Sequence, residues 1–436
     1  MRRITGPEEE AEIVDLAQDA RGVAKIAGKA VFVADALPGE RVVLRRSSRR
    51  RSYDEALLER ILRASPDRVT PGCAHFGTCG GCALQHLAPG AQLTYKQAQL
   101  LESLDRVGGV EPQRVLPPLT GPAWGYRRRA RLGVKFVPRK GRVLVGFRER
   151  SAPFVADLHG CPVLAPPADG LIDPLAGLIG SLSIAARIPQ VEVAVADGAC
   201  ALVLRTLEAP TPADLEVLRS FEASWNVRVY LQPGGAGSVT PLTTGQPPLH
   251  YSLRASGRRI EFEPVDFIQV NGTVNDAMVE RAIEQLGAGA GDHVLDLYCG
   301  LGNFTLAVAA HAGSVTGVEG DAALVARARR NAALNDAGNV AFHAANLAGE
   351  TFDQPWALHR YDRVILDPPR TGAKEVLALV GGCGASRVVY ISCHPGSLAR
   401  DAGHLVRDHG FRLSAAGVMD MFPHTTHVEA MAVFDR

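Results

Sequence analysis

Two residues near the end of the chain have the types and settings that covalent catalysis needs. Cys393 stands in "VVYISCHPGSLARD", after a run with the character of a buried strand and before Pro395, where a helix is expected to begin. A thiol beside a helix N-terminus has a stabilised thiolate and is a better nucleophile for it. Glu429 stands in "MFPHTTHVEAMAVF", on a terminal apolar strand, where a carboxylate is costly unless it has a task. Together they read as a nucleophile and a base. The bland alternatives are a core cysteine and a carboxylate satisfied by a local hydrogen bond or ion pair.

A second group suits metal binding. Cys73, Cys79 and Cys82 fall within "PGCAHFGTCGGCALQH", in a chain with eight cysteines. They are one ligand short of a four-thiolate site, and Cys161 in "LHGCPVLAP" is the nearest candidate downstream. Four thiolates suit either zinc or an iron–sulfur cluster, and spacing leaves both open. The start "MRRITGPEEEAEI" lacks the apolar core of a signal peptide, and no apolar run spans a bilayer. A reducing, cytoplasmic setting is therefore expected, where clustered cysteines mean metal or catalysis more often than disulfides. Cys200, Cys299 and Cys383 read as core or incidental.

A third set suits a nucleotide-like ligand. "VLDLYCGLGNFTLAVA" is a strand, a glycine-rich turn and a helix start, with Asp296 ending the strand. Gly300 and Gly302 let the backbone turn tightly against a ligand. Thr305 replaces the third glycine of a dinucleotide fingerprint. The next strand, "SVTGVEG", ends on Glu319, an acid placed to accept from ribose hydroxyls. With Asn346 in "AANL" and Asp367 in "ILDPPR", the set resembles a class I S-adenosylmethionine methyltransferase. There is no GxxxxGK[ST], which excludes a P-loop kinase or ATPase.

The elements that must carry these groups follow from texture. The chain has 436 residues, 46% apolar and 21% charged, which suits two or three globular domains. From about residue 10 to 63, short alternating strands broken by Gly22, Gly28 and Pro38-Gly39 read as a five-stranded barrel of the OB kind. "AQLTYKQAQLLESLDRVGG" has helical spacing, residues 125–265 return to strand-like runs, and from 266 helices alternate with short strands. That last rhythm is α/β, a doubly wound parallel sheet. Net charge is +1, yet residues 271–436 carry 13 Lys/Arg against 18 Asp/Glu, so the earlier part is basic. "RRSSRRR" and "YRRRARLGVKFVPRKGR" gather much of that charge, which suggests a nucleic-acid partner; solvated strand faces are the alternative.

"DFIQVN", "DLYCGLGNFTLAVA", "GVEG", "LDPPRTGA", "SCHPGSLARD" and "FPHTTHVEAM" resemble the RNA uridine-5 methyltransferase family. "GKAVFVADALPGERV" and the cysteine stretch resemble its subgroup with an N-terminal TRAM domain and an iron–sulfur cluster, so the likeness covers nearly the whole chain. The resemblance implies a Rossmann-like methyltransferase domain (93–124 and 266–436), an OB-like TRAM barrel (1–68) and a β-rich central iron–sulfur domain (69–92 and 125–265). It implies S-adenosylmethionine contacts at Gln269, Tyr298, Asn303, Glu319, Asn346 and Asp367. It implies Cys393 as nucleophile, Glu429 as general base, and a [4Fe-4S] cluster on Cys73, Cys79, Cys82 and Cys161. His394 departs from the family's usual Asn, which puts the cap of the following helix and the thiol's ionisation in question.

The implied activity is methylation of C5 of a uridine in 23S ribosomal RNA; oligomeric state is left open, with a monomer as the default. The same chemistry on a transfer RNA or another ribosomal site is one alternative. An RNA-binding or ribosome-assembly protein with a vestigial methyltransferase domain is another, and intact Cys393 and Glu429 argue against it.

Overall fold

The structure is a computed structural model that describes residues 6–349 and 353–436. Strands Glu8–Leu16, Gly22–Ile26, Lys29–Val33, Arg41–Arg49 and Tyr53–Arg63 close into a barrel. Alternation along them turns Ile13, Ala24, Val31, Val33, Val42 and Leu44 inward. The expected small barrel is present, although the start of its segment, residues 1–5, lies outside the described residues.

The two basic runs behave differently from a bare polyanion surface. Arg45 pairs with Glu8 and Glu59, and Arg46 with Glu9 and Asp54. Arg129 and Arg131 share Glu192, while Lys140 and Arg142 share Asp157. Much of the charge that suggested a nucleic-acid face closes ion pairs across strands instead. Among the described residues Arg49, Arg50, Arg51, Arg127, Arg128, Lys135 and Arg139 enter no such pair, and all but the buried Arg128 are what remains of the expected basic surface.

The middle of the chain forms a six-stranded sheet in the order Thr240–Pro241, Arg228–Gln232, Ala199–Arg205, Gln190–Ala196, Arg129–Val137, Arg142–Gly146. Two helices that the strand-like texture hid, Ile172–Ser181 and Pro212–Trp225, share a core with it through Leu175, Ile179, Leu218 and Phe221. The second had a legible start. Thr211 accepts from the Asp214 N–H at 3.2 Å while Asp214 accepts from the Thr211 N–H at 2.9 Å, a capping box followed by proline.

The last part holds strands β1 (His293–Leu297), β2 (Ser314–Glu319), β3 (Val340–Ala344), β4 (Arg363–Leu366), β5 (Arg387–Ser392), β6 (Arg412–Met419) and β7 (Glu429–Asp435). They lie in the order β3-β2-β1-β4-β5-β7-β6, and Arg114–Val115 joins the edge beyond β6. β1 to β5 are parallel and β7 runs antiparallel to both neighbours. Their nearly continuous apolar runs fit a sheet covered on both faces. Val294, Ile365 and Val389 point into one core; Leu295, Val364 and Val388 point into the other. Among the described residues no helix is long and apolar enough to cross a membrane.

Candidate active site

A parallel sheet presents its ligands at the carboxyl ends of its strands, and the sequence-expected residues gather there. Tyr298 follows β1, Glu319 ends β2, Asp367 follows β4 and Cys393 follows β5. The β5–β7 ladder pairs Ile391 with Met431 and Ser392 with Ala430. Its next rung would set Cys393 against Glu429, although the two are 36 positions apart in sequence. Glu429 is buried at 3% exposure and opens β7 opposite Met419.

The turn after β1 is shaped as the sequence requires. Tyr298, Gly300 and Gly302 have φ of 67°, 54° and 90°. The Glu319 carboxylate is drawn to this turn, accepting from the Gly300 N–H at 3.1 Å and the Asp321 N–H at 3.0 Å. Asp296, fully buried, accepts from the Thr305 hydroxyl at 2.5 Å through Oδ2, while its Oδ1 has no partner. A carboxylate oxygen orphaned beside a second carboxylate fits a ligand that brings an ammonium group and ribose hydroxyls, as S-adenosylmethionine does. Asn346 is exposed, its Oδ1 accepting from the Ala348 N–H at 3.0 Å. Asn303 is engaged otherwise: its amide pairs with that of Asn275 at 3.0 and 3.1 Å and accepts from the Tyr251 hydroxyl at 3.0 Å. Gln269 is half-buried, and its carbonyl accepts from Arg128 Nε at 2.7 Å.

Electrostatics at the nucleophile run opposite to the sequence expectation. Burial pushes the Cys393 thiol up to about 11, with Glu429 and Asp367 adding to the shift and Arg370 opposing it. The helix Pro395–Arg407 does begin beside it, but a helix end carries only about half a charge, and desolvation beside two acids outweighs it. The acids are raised too: burial pushes Asp367 and Asp296 up to about 7 and, with Asp367, lifts Glu429 well above the carboxylate range. The ligand-free site therefore stores protons at neutral pH.

His394 replaces the usual Asn without loss of the cap. Its Nδ1 accepts from the Ser397 N–H at 3.1 Å, which fixes it as the neutral acceptor at that nitrogen. Burial, Arg370 and Arg400 all lower its pKa, so the cap persists across the neutral range.

Four residues the sequence reading did not single out hold the site together. Asp401, fully buried, accepts from the Tyr390 hydroxyl at 2.7 Å and the Ala373 N–H at 2.8 Å, fastening the loop after Asp367 to the helix after Cys393. Gly372 lies where they meet, with φ of 87°, and a Cβ there would come within 2.5 Å of Asp401 Oδ2. Lys96 is fully buried on the Pro89–Ser103 helix and donates to Asp420 at 2.7 Å and to the Phe422 carbonyl at 2.9 Å. One turn earlier, Gln92 accepts from the His424 N–H at 2.9 Å. These two clamp the loop that leads into Glu429.

The four cysteines of the second group line one cavity of about 420 Å³, and none is in a disulfide. Phe422, Thr425, Thr426 and His427 form its other wall, so the cavity borders the same loop. Ala83 and Leu84 both donate to the His424 carbonyl at 2.9 Å, tying the cysteine stretch to it. Burial raises the Cys79, Cys82 and Cys161 thiols, Cys82 to about 11. Among the described residues no three His, Cys, Asp or Glu side chains converge closely enough to hold a single metal ion. Cys200, Cys299 and Cys383 are core residues, as expected.

Comparison with known proteins shows the family. The profile of the tRNA (Uracil-5-)-methyltransferase family matches residues 235–436. The 23S rRNA (uracil(1939)-C(5))-methyltransferase RlmD of Alkalilimnicola ehrlichii is 52% identical over 437 aligned residues, 100% of this chain and 98% of that protein. The protein of the same name from Alcanivorax borkumensis is 47% identical over 98% of this chain and 96% of its own length. In fold, the Pyrococcus abyssi tRNA (uracil-54, C5)-methyltransferase, solved with S-adenosyl-L-homocysteine, superposes with a TM-score of 0.74 at 23% identity, covering 98% of this chain and 100% of the other. Half of all positions shared from end to end leaves no part of the chain outside the likeness, and it belongs to the RNA uracil-5 methyltransferase family.

Proposed function

We propose that the chain methylates C5 of one uridine in 23S ribosomal RNA, the uridine that its relatives' names number 1939. One observation carries this. A transfer-RNA enzyme shares the fold across 98% of this chain, but at only 23% identity. The near-half identity to proteins named for 23S rRNA runs through the barrel and the cysteine stretch as well. Mass mapping of 5-methyluridine in RNA from cells lacking the gene tests it. Loss from 23S rRNA alone is the expected result; loss from transfer RNA would overturn it.

Cys393 is the nucleophile and Glu429 the base in this reading. C5 of uracil is too weak a nucleophile to attack an alkyl donor unaided. The Cys393 thiolate adds to C6, the C5–C6 electron pair moves into an enolate, and C5 becomes the attacking carbon. Tyr298, Glu319 and Asp367, with Gln269, Asn303 and Asn346 around them, would hold S-adenosylmethionine, which would supply the electrophilic methyl group. C5 then carries both hydrogen and methyl. The Glu429 carboxylate removes that hydrogen as a proton, the C5–C6 double bond re-forms, and the thiolate is expelled. One proton is released per turnover. The target base must leave its stack to reach a pocket at the sheet edge.

The raised thiol sets the pH dependence. With Cys393 near 11 in the free site, the thiolate is scarce at neutral pH and grows about tenfold per unit below that value. We expect kcat/KM on a 23S rRNA fragment to rise steeply between pH 7 and 9. A flat profile would mean that the thiol is already ionised in the free enzyme.

We propose further that Cys73, Cys79, Cys82 and Cys161 hold a [4Fe-4S] cluster in a central domain (69–92 and 125–265), between a TRAM barrel (1–68) and a methyltransferase domain (93–124 and 266–436). The cavity lined by all four cysteines supports this. The docking of the Pro89–Ser103 helix and of Arg114–Val115 on the methyltransferase side supports assigning 93–124 to it. Anaerobically purified protein is expected to be brown, with about four iron atoms per chain. Cys79→Ser should lose the colour and weaken RNA binding and solubility, and leave S-adenosylmethionine affinity on the folded fraction little changed. A colourless, iron-free wild type that is fully active on RNA would remove the cluster.

A further inference from the structure

Arg128 is out of balance with its surroundings. Its side chain is nine-tenths buried, Nε donates to the Gln269 carbonyl, and the guanidinium lies 4.4 Å over the Tyr251 ring. Nη2 has no hydrogen-bond partner. The guanidinium presses on the first turn of the Gly272–Leu286 helix: a Cβ at Gly272 would lie 3.2 Å from Nη1. A helix N-terminus carries about half a positive charge, so a cation and a positive helix end meet here, with Asp197 the acid that bears on Arg128. Asn271, the cap of this helix, is 1% exposed; its Oδ1 accepts from the Val274 N–H at 3.2 Å, while its Nδ2 has no partner.

Both residues line one recess of about 270 Å³ between the central sheet and this helix, with Thr273 and the exposed Arg254 on its wall. Two carboxylates also line it. Asp197 accepts from the Ser252 N–H at 2.9 Å and Asp276 from the Ala255 N–H at 3.3 Å, so they hold the turn that carries Arg254. Each keeps a second oxygen that can accept from a hydroxyl.

We propose that this recess binds one ribose-phosphate of the RNA substrate, a reading that rests on the proposed function. The phosphate sits between Arg128 Nη2, Asn271 Nδ2 and the first helical N–H groups, with Arg254 at the mouth. The ribose 2′-hydroxyl faces Asp197 and Asp276, which suits RNA rather than DNA. Arg128 donates to the Gln269 carbonyl and Asn271 lies two positions after it, so the contact would fix the strand close to the proposed cofactor site.

Thr273→Asp tests it. The position is exposed, near the start of the helix, and a carboxylate there favours the helix, so folding is preserved while the recess receives a built-in anion. Affinity for a 23S rRNA fragment is expected to fall about tenfold. The slope of log affinity against log salt should become shallower by about 0.7 to 0.9, the loss of one phosphate contact. A scan of single methylphosphonate linkages should find one position that weakens wild-type binding and leaves Thr273→Asp unaffected. Unchanged affinity and slope, or no such position, overturns the proposal. So does weakened S-adenosylmethionine binding, which would assign the recess to the cofactor's carboxylate. A wild type that binds the fragment with the phosphate penalty intact, yet does not methylate it, sinks the functional reading and supports the site.

Discussion

Cys393→Ala is expected to abolish methyl transfer while S-adenosylmethionine binding survives. The thiol follows β5, whereas the groups that shape the cofactor turn are Tyr298 and Gly300, after β1, and Glu319, at the end of β2. Deleting a half-buried sulfur at a strand end leaves the sheet and both its cores intact. The loss should therefore be chemical, on the order of 10⁴-fold or more in kcat, as for removal of other covalent nucleophiles. Cys393→Ser is expected to be nearly as inactive, since a hydroxyl beside two buried acids ionises less readily than a thiol. Titration calorimetry with S-adenosylmethionine separates binding from chemistry. Turnover of Cys393→Ala near wild type would end the assignment.

The residues that do chemistry were more legible than those that support them. Cys393 announces itself through local sequence, a strand before it and Pro395 after it. Glu429 does so by being a carboxylate in an apolar strand. Lys96 and Gln92 gave a weaker signal. They share a helix face with the buried Leu100 at four-residue spacing, but their partners, Asp420 and His424, lie more than 300 positions away. The arginine runs pointed to a nucleic-acid partner but hid the pairs that use part of their charge: Arg45 and Arg46 meet Glu8 and Glu9 across a barrel seam 37 positions apart. Local sequence carries the charge of a residue but not the carboxylate that a sheet register will place beside it.

The direction of the Cys393 shift was illegible for a related physical cause. A helix start is visible in sequence and argues for a thiolate. The opposing contribution comes from desolvation and from two acids on other strands, β7 and the loop after β4, and only the folded sheet brings them to the thiol. The same convergence gives the site its use. Groups held protonated in the free enzyme can change state when a substrate excludes water and redistributes charge.

Glu429→Gln is expected to stall the reaction after methyl transfer instead of before it. The amide keeps nearly the same shape at the start of β7, so Cys393 can still add to C6 and C5 can still be methylated. What the amide cannot do is take the C5 proton, and without that step the thiolate has no route out. A covalent protein–RNA complex should accumulate, seen as a shifted band on denaturing gels with labelled RNA, and released 5-methyluridine should fall on the order of 10³-fold. Unfolding is not the rival explanation, because the sign of the stability change is opposite. Burial raises Glu429 in the folded protein above its value in the unfolded chain, so its contribution is fully present at low pH and is lost as pH rises past the ordinary carboxylate range. Gln carries no such penalty, and the ligand-free variant should melt higher than wild type near pH 7.5. A variant that is more stable, inactive and trapped on its RNA identifies Glu429 as the base. Normal release of methylated product with no trapped band would give that role to another group, with Asp367, raised to about 7 and electrostatically coupled to both Cys393 and Glu429, the next to test by the same substitution.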